Sequence, residues 1–227
     1  MTTKTKARRP LSRERILRAA LELVDANGIE SLSMRKLGHK LGYEAMSLYN
    51  HVAGKDDLLD GVLDIVLAET TPPSPSGEWD AAIRESAISV HDALTRHPWA
   101  CPLLMQPGRI RTARLRYMDQ LLGRLREAGF SAETTYTAYH VLDGHIFGFA
   151  LWESSHTYTA EDISNLAARF ADLITLDTYP YLHEHAEQHL ADGPHREVSA
   201  FELGLDLIID GLKKMRVTKR ARPGAPR

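Results

Sequence analysis

Apolar positions along the chain recur with the spacing of helices, and no useful length alternates with the period of a strand. A first apolar stripe falls on residues 16–24 and ends at Asn27 and Gly28, a pair that favours the left-handed stop of a helix. The pattern predicts an all-α fold. Later helices are predicted at about 79–96, 110–128, 131–155, 161–175, 180–190 and 196–215.

Two short helices are predicted close together near the start of the chain. Ser33 is suited to cap a helix over 34–41, and Gly42 is suited to end it. A second helix is predicted over 45–52, and a further helix from Lys55. Two helices joined by a short turn form a helix-turn-helix, whose second helix can enter the major groove of DNA.

The chain divides into a small head and a larger body at a stretch rich in proline and serine. We expect an N-terminal three-helix helix-turn-helix domain, followed by a larger helical domain for ligand binding and dimerisation. The predicted parts are a flexible basic arm over 1–11, the helix-turn-helix domain over 12–70, the linker over 71–78, the body over 79–215 and a disordered basic tail over 216–227.

Charge is distributed unevenly along the chain. Residues 1–55 carry 11 Lys and Arg against 5 Asp and Glu, a net charge of +6. Residues 56–212 carry 10 against 25, a net charge of −15, and residues 213–227 carry seven basic and no acidic side chains. A basic head on an acidic body indicates a polyanionic partner at one end.

Other features of the sequence limit the class of protein. The longest apolar run is shorter than the roughly 18–20 residues of a membrane span, so no membrane partner is expected. No apolar segment follows the basic start at signal-peptide distance, so a cytoplasmic protein is expected. Cys101 is the only cysteine, which excludes an internal disulfide and a multi-cysteine metal site, and neither a cofactor nor a metal is predicted.

The second short helix carries the candidate base contacts. Leu48 and Val52 share one face and are expected to hold this helix against the rest of the head. Met46 is a long apolar side chain on the other face, where it fits contact with thymine methyl groups. The candidates for contact with base edges are Ala45, Met46, Ser47, Tyr49 and Asn50.

Residues 33–55 read SMRKLGHKLGYEAMSLYNHVAGK, and an acidic pair and two leucines follow. In this pattern the chain resembles the Tet repressor family, closely over residues 12–68. The resemblance implies that some of these side chains contact bases and that others contact phosphates. Arg35, Ser47, Tyr49 and Asn50 match the first group, and Lys36, His51 and Lys55 match the second.

The body resembles the same family more loosely. The resemblance implies a homodimer in which the helices at 131–155 and 196–215 pair with their copies in a four-helix bundle. The apolar surface of the helix at 196–215 is wider than a single stripe, so it needs partners on two sides. Two-fold symmetry also suits a palindromic operator.

The resemblance further implies an effector cavity between the helices at 79–96, 110–128 and 131–155. The matching side chains are mostly apolar and aromatic, which is typical of sites for drug-sized molecules. They are Ser86, Val90, Leu104, Tyr117, Met118, Leu121, Tyr136, Tyr139, His140 and Trp152, with His91, Trp99 and Met105 nearby.

One segment departs from the family pattern. The tetracycline-binding member holds a magnesium chelate through a histidine before a turn, whereas residues 103–108 read LLMQPG here. No carboxylate or imidazole in this segment can bind a hard cation. We therefore expect that the protein does not sense a magnesium–tetracycline chelate in the same way.

The expected function is that of a sequence-specific DNA-binding transcription regulator and not of an enzyme. The most favoured form is a repressor that a small apolar or aromatic ligand releases from a palindromic operator. One alternative is a regulator that responds to metal or oxidation through His185, His189 or Cys101, because the two histidines lie four residues apart on a helix. Another is an enzyme that uses the body pocket, although no phosphate-binding glycine loop or nucleophile elbow supports it.

Overall fold

The computed structural model describes residues 10–106, 112–156, 177–192 and 199–220, with Asn165 and Ile174, and for 188–192 and 217–220 it describes the backbone only. The regular elements within these residues are all helical, which confirms the all-α prediction. The helices are α1 (Arg13–Asn27), α2 (Met34–Leu41), α3 (Ala45–Leu48), α4 (Lys55–Ala68), α5 (Trp79–Arg96), α6 (Ala100–Leu104), α7 (Thr112–Glu127), α8 (Ala132–Ser155), α9 (Pro180–Asp192) and α10 (Ala200–Arg220). Among the described residues, no helix combines the length and apolar character needed to cross a bilayer.

Local capping explains where the first helices begin and end. The Ser12 hydroxyl caps α1, and the Ser33 hydroxyl accepts the Lys36 backbone N–H at 3.2 Å to cap α2. Gly28 ends α1 with φ at 75°, and Gly42 ends α2 in the left-handed conformation with φ at 74°. Both helices stop at the predicted glycines, and their positive φ would strain any residue with a Cβ. The left-handed conformation predicted at Gly28 is wrong, because its ψ is 167°.

Two details differ from the sequence prediction. α3 ends at Leu48 and not near Val52, because the backbone N–H groups of His51 and Val52 both turn back to the Leu48 carbonyl oxygen. The turn nevertheless buries the Val52 side chain in the same core as Leu48. The four-residue spacing of these two apolar residues is therefore the same as in a continuous helix, which led to the longer prediction. A 3-10 turn over Ile29–Ser31 and the short α6 were not predicted as separate elements.

For two later helices, the predicted range lies partly or almost wholly outside the described residues. The prediction at 161–175 lies outside them, apart from Asn165 and Ile174. α10 begins at Ala200, four residues after the predicted start, and 196–198 also lie outside them.

The head is built on one apolar core. Side chains from α1 to α4 enter it, so the amphipathic stripes read from the sequence do meet. This core fixes the orientation of the two short helices relative to α1 and α4. The buried residues of the cluster are Ile16, Ala19, Ala20, Val24, Leu32, Leu37, Leu48, Val52, Leu58, Leu59 and Val62.

The chain forms two compact units, one up to Tyr139 and one from His140 onward. In the first unit α4 packs against α1, α5, α6 and α7. In the second unit the His145 ring stacks on Phe201 with centroids 4.9 Å apart, and its Nε2 lies 2.9 Å from the Phe201 carbonyl oxygen. A Cβ at Gly204 would lie 2.5 Å from the same ring, so a glycine there allows α8 and α10 to approach closely.

Candidate nucleic-acid interface and effector region

α3 presents one face to the core and the other to solvent. Leu48 and Val52 are buried, whereas Met46 is 74% exposed and Tyr49 is 47% exposed. The whole predicted contact set has exposed or half-buried side chains, and none of its members is needed in the core. These are Arg35, Lys36, Ala45, Met46, Ser47, Tyr49, Asn50, His51 and Lys55.

The outer face of α2 adds basic groups that the predicted set omitted. Arg35 and Lys36 line an open groove together with His39, Lys40 and Leu23. Lys40 also pairs with a glutamate of α1 at 2.9 Å. The sequence signal for His39 and Lys40 was their helical spacing from Lys36, which places them on the same side of α2.

The turn from α3 to α4 is held by side chains. Asp57 accepts the Ala53 backbone N–H at 2.8 Å and binds Arg13 through both carboxylate oxygens, at 2.6 and 2.7 Å. The Arg13 guanidinium is the main cause that lowers the pKa of Asp57 to about 2, with the Ala53 N–H second. The hydrogen bond to Asp57 also raises the pKa of Arg13. Sequence reasoning missed this pair, because its members lie 44 residues apart.

The predicted effector residues differ in burial. In the first unit Ser86, Val90, Tyr117, Leu121 and Tyr139 are buried. Leu104 and Met118 are half-buried there, and Tyr136 is exposed. In the second unit His140 is exposed and Trp152 is 52% exposed.

Two contacts bear on the chemistry of the effector residues. The Ser86 hydroxyl donates to the Thr71 carbonyl oxygen at 2.8 Å. In this conformation it can therefore accept a hydrogen bond from a ligand but cannot donate one. Arg114 brings two predicted tyrosines together: its Nη2 lies 3.4 Å from the Tyr139 hydroxyl, and its Cζ lies 5.9 Å from the Tyr117 ring centroid. Arg114 was not predicted, and it adds a half-buried cation to a set otherwise poor in charge.

The three residues predicted to lie nearby have different surroundings. His91 is buried, with its Nδ1 3.6 Å from an oxygen of the neighbouring Asp92. Met105 is exposed. The Trp99 indole N–H donates to Asp25 at 2.7 Å, so it contacts α1 of the head.

The joint between α5 and α6 is tied to the head through Asp25. The same Asp25 oxygen that accepts from Trp99 lies 2.8 Å from Nδ1 of the buried His97. His97 Nε2 lies 3.4 Å from Glu69 Oε2, beyond hydrogen-bond geometry, and Glu69 also pairs with Arg96. α1, the end of α4 and the α5–α6 joint therefore meet in one polar cluster, which we call the Asp25 cluster (Asp25, Glu69, Arg96, His97 and Trp99).

The structure around Cys101 and His185 does not favour metal binding or oxidation. Cys101 is fully buried, and burial raises the pKa of its thiol to about 11, so it keeps its proton and is a poor target for oxidation. Within the described residues, no group of three or more His, Cys, Asp or Glu side chains is arranged to hold a metal ion. The His185 side chain is exposed on α9, and that of His189 lies outside the described residues.

Comparison with known proteins decides the family. Residues 16–62 match the family model described as "Bacterial regulatory proteins, tetR family". Residues 71–216 match the model "Tetracyclin repressor-like, C-terminal domain". The chain belongs to the TetR family.

Individual TetR-family relatives agree with this assignment. The chain is 29% identical to the HTH-type transcriptional repressor DrrR1 of Streptomyces coeruleorubidus, covering 95% of this chain and 82% of the relative. It is 32% identical to an HTH-type transcriptional regulator of Saccharopolyspora erythraea, covering 89% and 84%. The crystal structure of ActR from Streptomyces coelicolor in complex with actinorhodin is similar with a TM-score of 0.69 and 28% identity, covering 92% of this chain and 99% of that one.

Membership of the TetR family settles the class of function. The chain is a DNA-binding transcription repressor of this family and not an enzyme, as the sequence indicated. Its partners are those of the family: operator DNA, a small-molecule effector and a second copy of the chain. The comparisons give no support to the metal or redox alternative.

Proposed function

We propose that this TetR-family repressor reads a palindromic operator with α3 and leaves it when a small apolar or aromatic molecule binds the body. The observation that carries the DNA-reading part is the exposure of Met46 and Tyr49 directly beside the buried Leu48. Large side chains that point outward from a helix whose other face packs in the core can contact base edges in the major groove. A monomer in solvent gains nothing from exposing them.

We assign roles within the interface by chemistry. Ala45, Met46, Ser47, Tyr49 and Asn50 face outward on α3 or directly after it and are proposed to contact bases, together with Arg35. The remaining hydrogen-bond donors are lysine and histidine side chains, and they are proposed to bind phosphates. They are Lys36, His51 and Lys55, joined by His39 and Lys40 on the outer face of α2.

The effector part of the proposal rests on the buried aromatic residues of the first unit. Tyr117 and Tyr139 combine aromatic rings with hydroxyl groups, and the buried Leu121 adds apolar surface, which together suit an aromatic ligand. The similar ActR was solved with actinorhodin, which supports a small organic effector here. Residues 103–106 carry no imidazole or carboxylate, so the prediction against a magnesium–tetracycline chelate stands as made.

α4 is the proposed mechanical link between effector and operator. It begins directly after the turn that follows α3, and it packs against α1, α5, α6 and α7. An effector that displaces α4 would change the separation of the two recognition helices from the roughly 34 Å of one DNA turn. Only an effector that prefers the displaced state can release DNA, however tightly it binds. The site of action is proposed to be the cytoplasm.

The first test is selection of bound duplexes from a random pool at fixed salt, followed by measurement of the dissociation constant on the recovered operator. Tyr49→Ala should weaken binding and relax base preference at one position, by about 1–3 kcal/mol. Lys55→Ala should weaken binding to all sequences and reduce the salt slope by about 1, because one phosphate contact is lost.

Matched controls are available on helices of the second unit. Tyr181→Ala removes an exposed tyrosine of α9, and Lys213→Ala removes an exposed lysine of α10, so both should bind the operator like the wild type. Recovery of no preferred sequence, or equal effects of Tyr49→Ala and Tyr181→Ala, would sink the proposal.

A further inference from the structure

The turn over residues 49–54, between α3 and α4, is fixed from two directions. From the α4 side, the Asp57 carboxylate accepts the Ala53 backbone N–H at 2.8 Å. From the α1 side, Arg13 Nη1 donates to the His51 carbonyl oxygen at 3.3 Å. The two side chains are also bound to each other by a pair of hydrogen bonds.

The sequence explains why this arrangement is needed. α4 follows Gly54, which has no side chain to cap the first turn of the helix. Asp57, in that first turn, reaches back instead, and its negative charge is favourable at a helix N-terminus. A carboxylate alone can rotate, but the planar guanidinium of Arg13 binds both of its oxygens and so fixes its orientation.

We propose that Arg13 and Asp57 are positioning residues for operator binding, which hold the turn so that His51 and Lys55 face the DNA phosphates. The inference rests on the proposed function, since it requires that the His51 and Lys55 side chains donate hydrogen bonds to DNA phosphates. His51 lies within the turn and Lys55 directly follows it, so both move with its backbone. Neither Arg13 nor Asp57 has to touch DNA for this role.

The proposal predicts an effect with an unusual sign. Loss of an acidic side chain beside DNA reduces repulsion of the phosphates and by itself strengthens binding. Asp57→Asn should nevertheless weaken binding, because the neutral amide holds Arg13 poorly and releases the turn. Asp56 is the adjacent exposed acid in the same helical turn, so Asp56→Asn makes the same charge change without touching the pair.

The experiment uses the full-length protein and the operator recovered by random selection. Dissociation constants are measured over a series of salt concentrations, with thermal melting as a check on folding. Asp57→Asn should weaken binding by about tenfold and lower the salt slope by about 1–2, because up to two phosphate contacts are misplaced. Asp56→Asn should bind as well as the wild type or better, with an unchanged slope.

Two further variants separate positioning from general stability. Arg13→Lys keeps the positive charge and the Asp57–Ala53 bond but loses the two-pronged contact, so about threefold weaker binding is expected. Exchanging the pair, as Arg13→Asp with Asp57→Arg, restores the ion pair but should not recover the lost affinity, because an arginine at position 57 cannot accept the Ala53 N–H and an aspartate at position 13 cannot donate to the His51 carbonyl oxygen. A loss of stability alone would lower the melting temperature and leave the slope unchanged.

The outcomes separate this inference from the proposed function. If the wild type selects no operator, the proposed function fails and the inference with it. If the wild type binds and Asp57→Asn behaves like Asp56→Asn, or keeps the wild-type slope, the inference alone is overturned. If Asp57→Asn does not fold, Arg13→Lys becomes the deciding variant. An Arg13→Lys protein that binds the operator with the affinity and salt slope of the wild type would then overturn the inference.

Discussion

At the scale of single residues, the helix-turn-helix depends on a glycine whose role is steric. Gly38 lies inside α2, and a Cβ there would be 2.7 Å from the Tyr43 carbonyl oxygen and 3.2 Å from the Ala45 backbone nitrogen. Both are main-chain atoms, one in the turn and one at the start of α3, so they cannot move aside as a flexible side chain would. Gly38 also accepts the Tyr43 backbone N–H at 2.9 Å, which holds the turn against α2.

We predict that Gly38→Ala destabilises the protein and weakens operator binding. Overpacking against fixed atoms costs about 1–3 kcal/mol, more than the helix propensity that alanine gains. The measurement is the free energy of unfolding in urea, paired with affinity for the selected operator.

Gly123→Ala is the matched control, since Gly123 lies inside α7 and a Cβ there meets no atom within 4 Å. That variant should be neutral or more stable by up to about 1 kcal/mol. A Gly38→Ala protein as stable as Gly123→Ala would contradict the packing argument.

At the scale of elements, the sequence predicted what local chemistry controls. The caps at Ser33 and Gly42 and the ends of α1 and α2 follow from side chains within a few residues, so they could be read in advance. The end of α3 could not, because Val52 stays apolar whether it continues a helix or closes a turn.

Contacts between distant segments were also outside the reach of the sequence. The Arg13–Asp57 pair spans 44 residues and the Asp25–His97 contact spans 72, and no local pattern marks either. The exposed face of α3 was predictable, because the burial of Leu48 fixes which side chains point away. The roles of Asp57 and Arg114 needed the tertiary structure.

The Asp25 cluster gives a prediction at this scale, because it ties α1 to the α5–α6 joint. Asp25→Ala removes the acceptor of the Trp99 indole N–H and the partner of the buried His97. Buried polar groups left without partners cost about 1–3 kcal/mol, so unfolding should be easier by that amount. A double-mutant cycle with Trp99→Phe should show that the two losses are not additive.

Glu14→Ala provides the control for Asp25→Ala on the same helix. Glu14 forms an exposed i,i+4 pair with Arg18, a type of contact worth about 0.3–0.5 kcal/mol. The urea midpoint should therefore fall clearly in Asp25→Ala and little in Glu14→Ala. Equal shifts in the two variants would show that the cluster does not hold the elements together.

At the scale of the whole molecule, the parts of α8 and α10 in the second unit carry apolar side chains that the described residues leave exposed. Leu203 and Leu207 lie four residues apart on α10 and are exposed, and a Cβ at Gly211, four residues further on, would meet no atom within 4 Å. On α8 Val141 and Leu151 are exposed, and Gly144 and Gly148 between them are equally open. α8 and α10 are also the helices that the family resemblance assigns to a four-helix bundle between copies.

The last prediction concerns this bundle. Leu207 is 67% exposed in the single chain, so Leu207→Glu should fold normally yet place a charge in the contact between copies. Sedimentation should then show a monomer, and operator affinity should fall by about 100-fold or more, because two heads no longer bind as one molecule. Leu115→Glu makes the same change at an exposed leucine of α7 and should leave both properties intact. A Leu207→Glu protein that remains dimeric would place the interface elsewhere, whereas a monomer with full operator affinity would show that a single head suffices for binding.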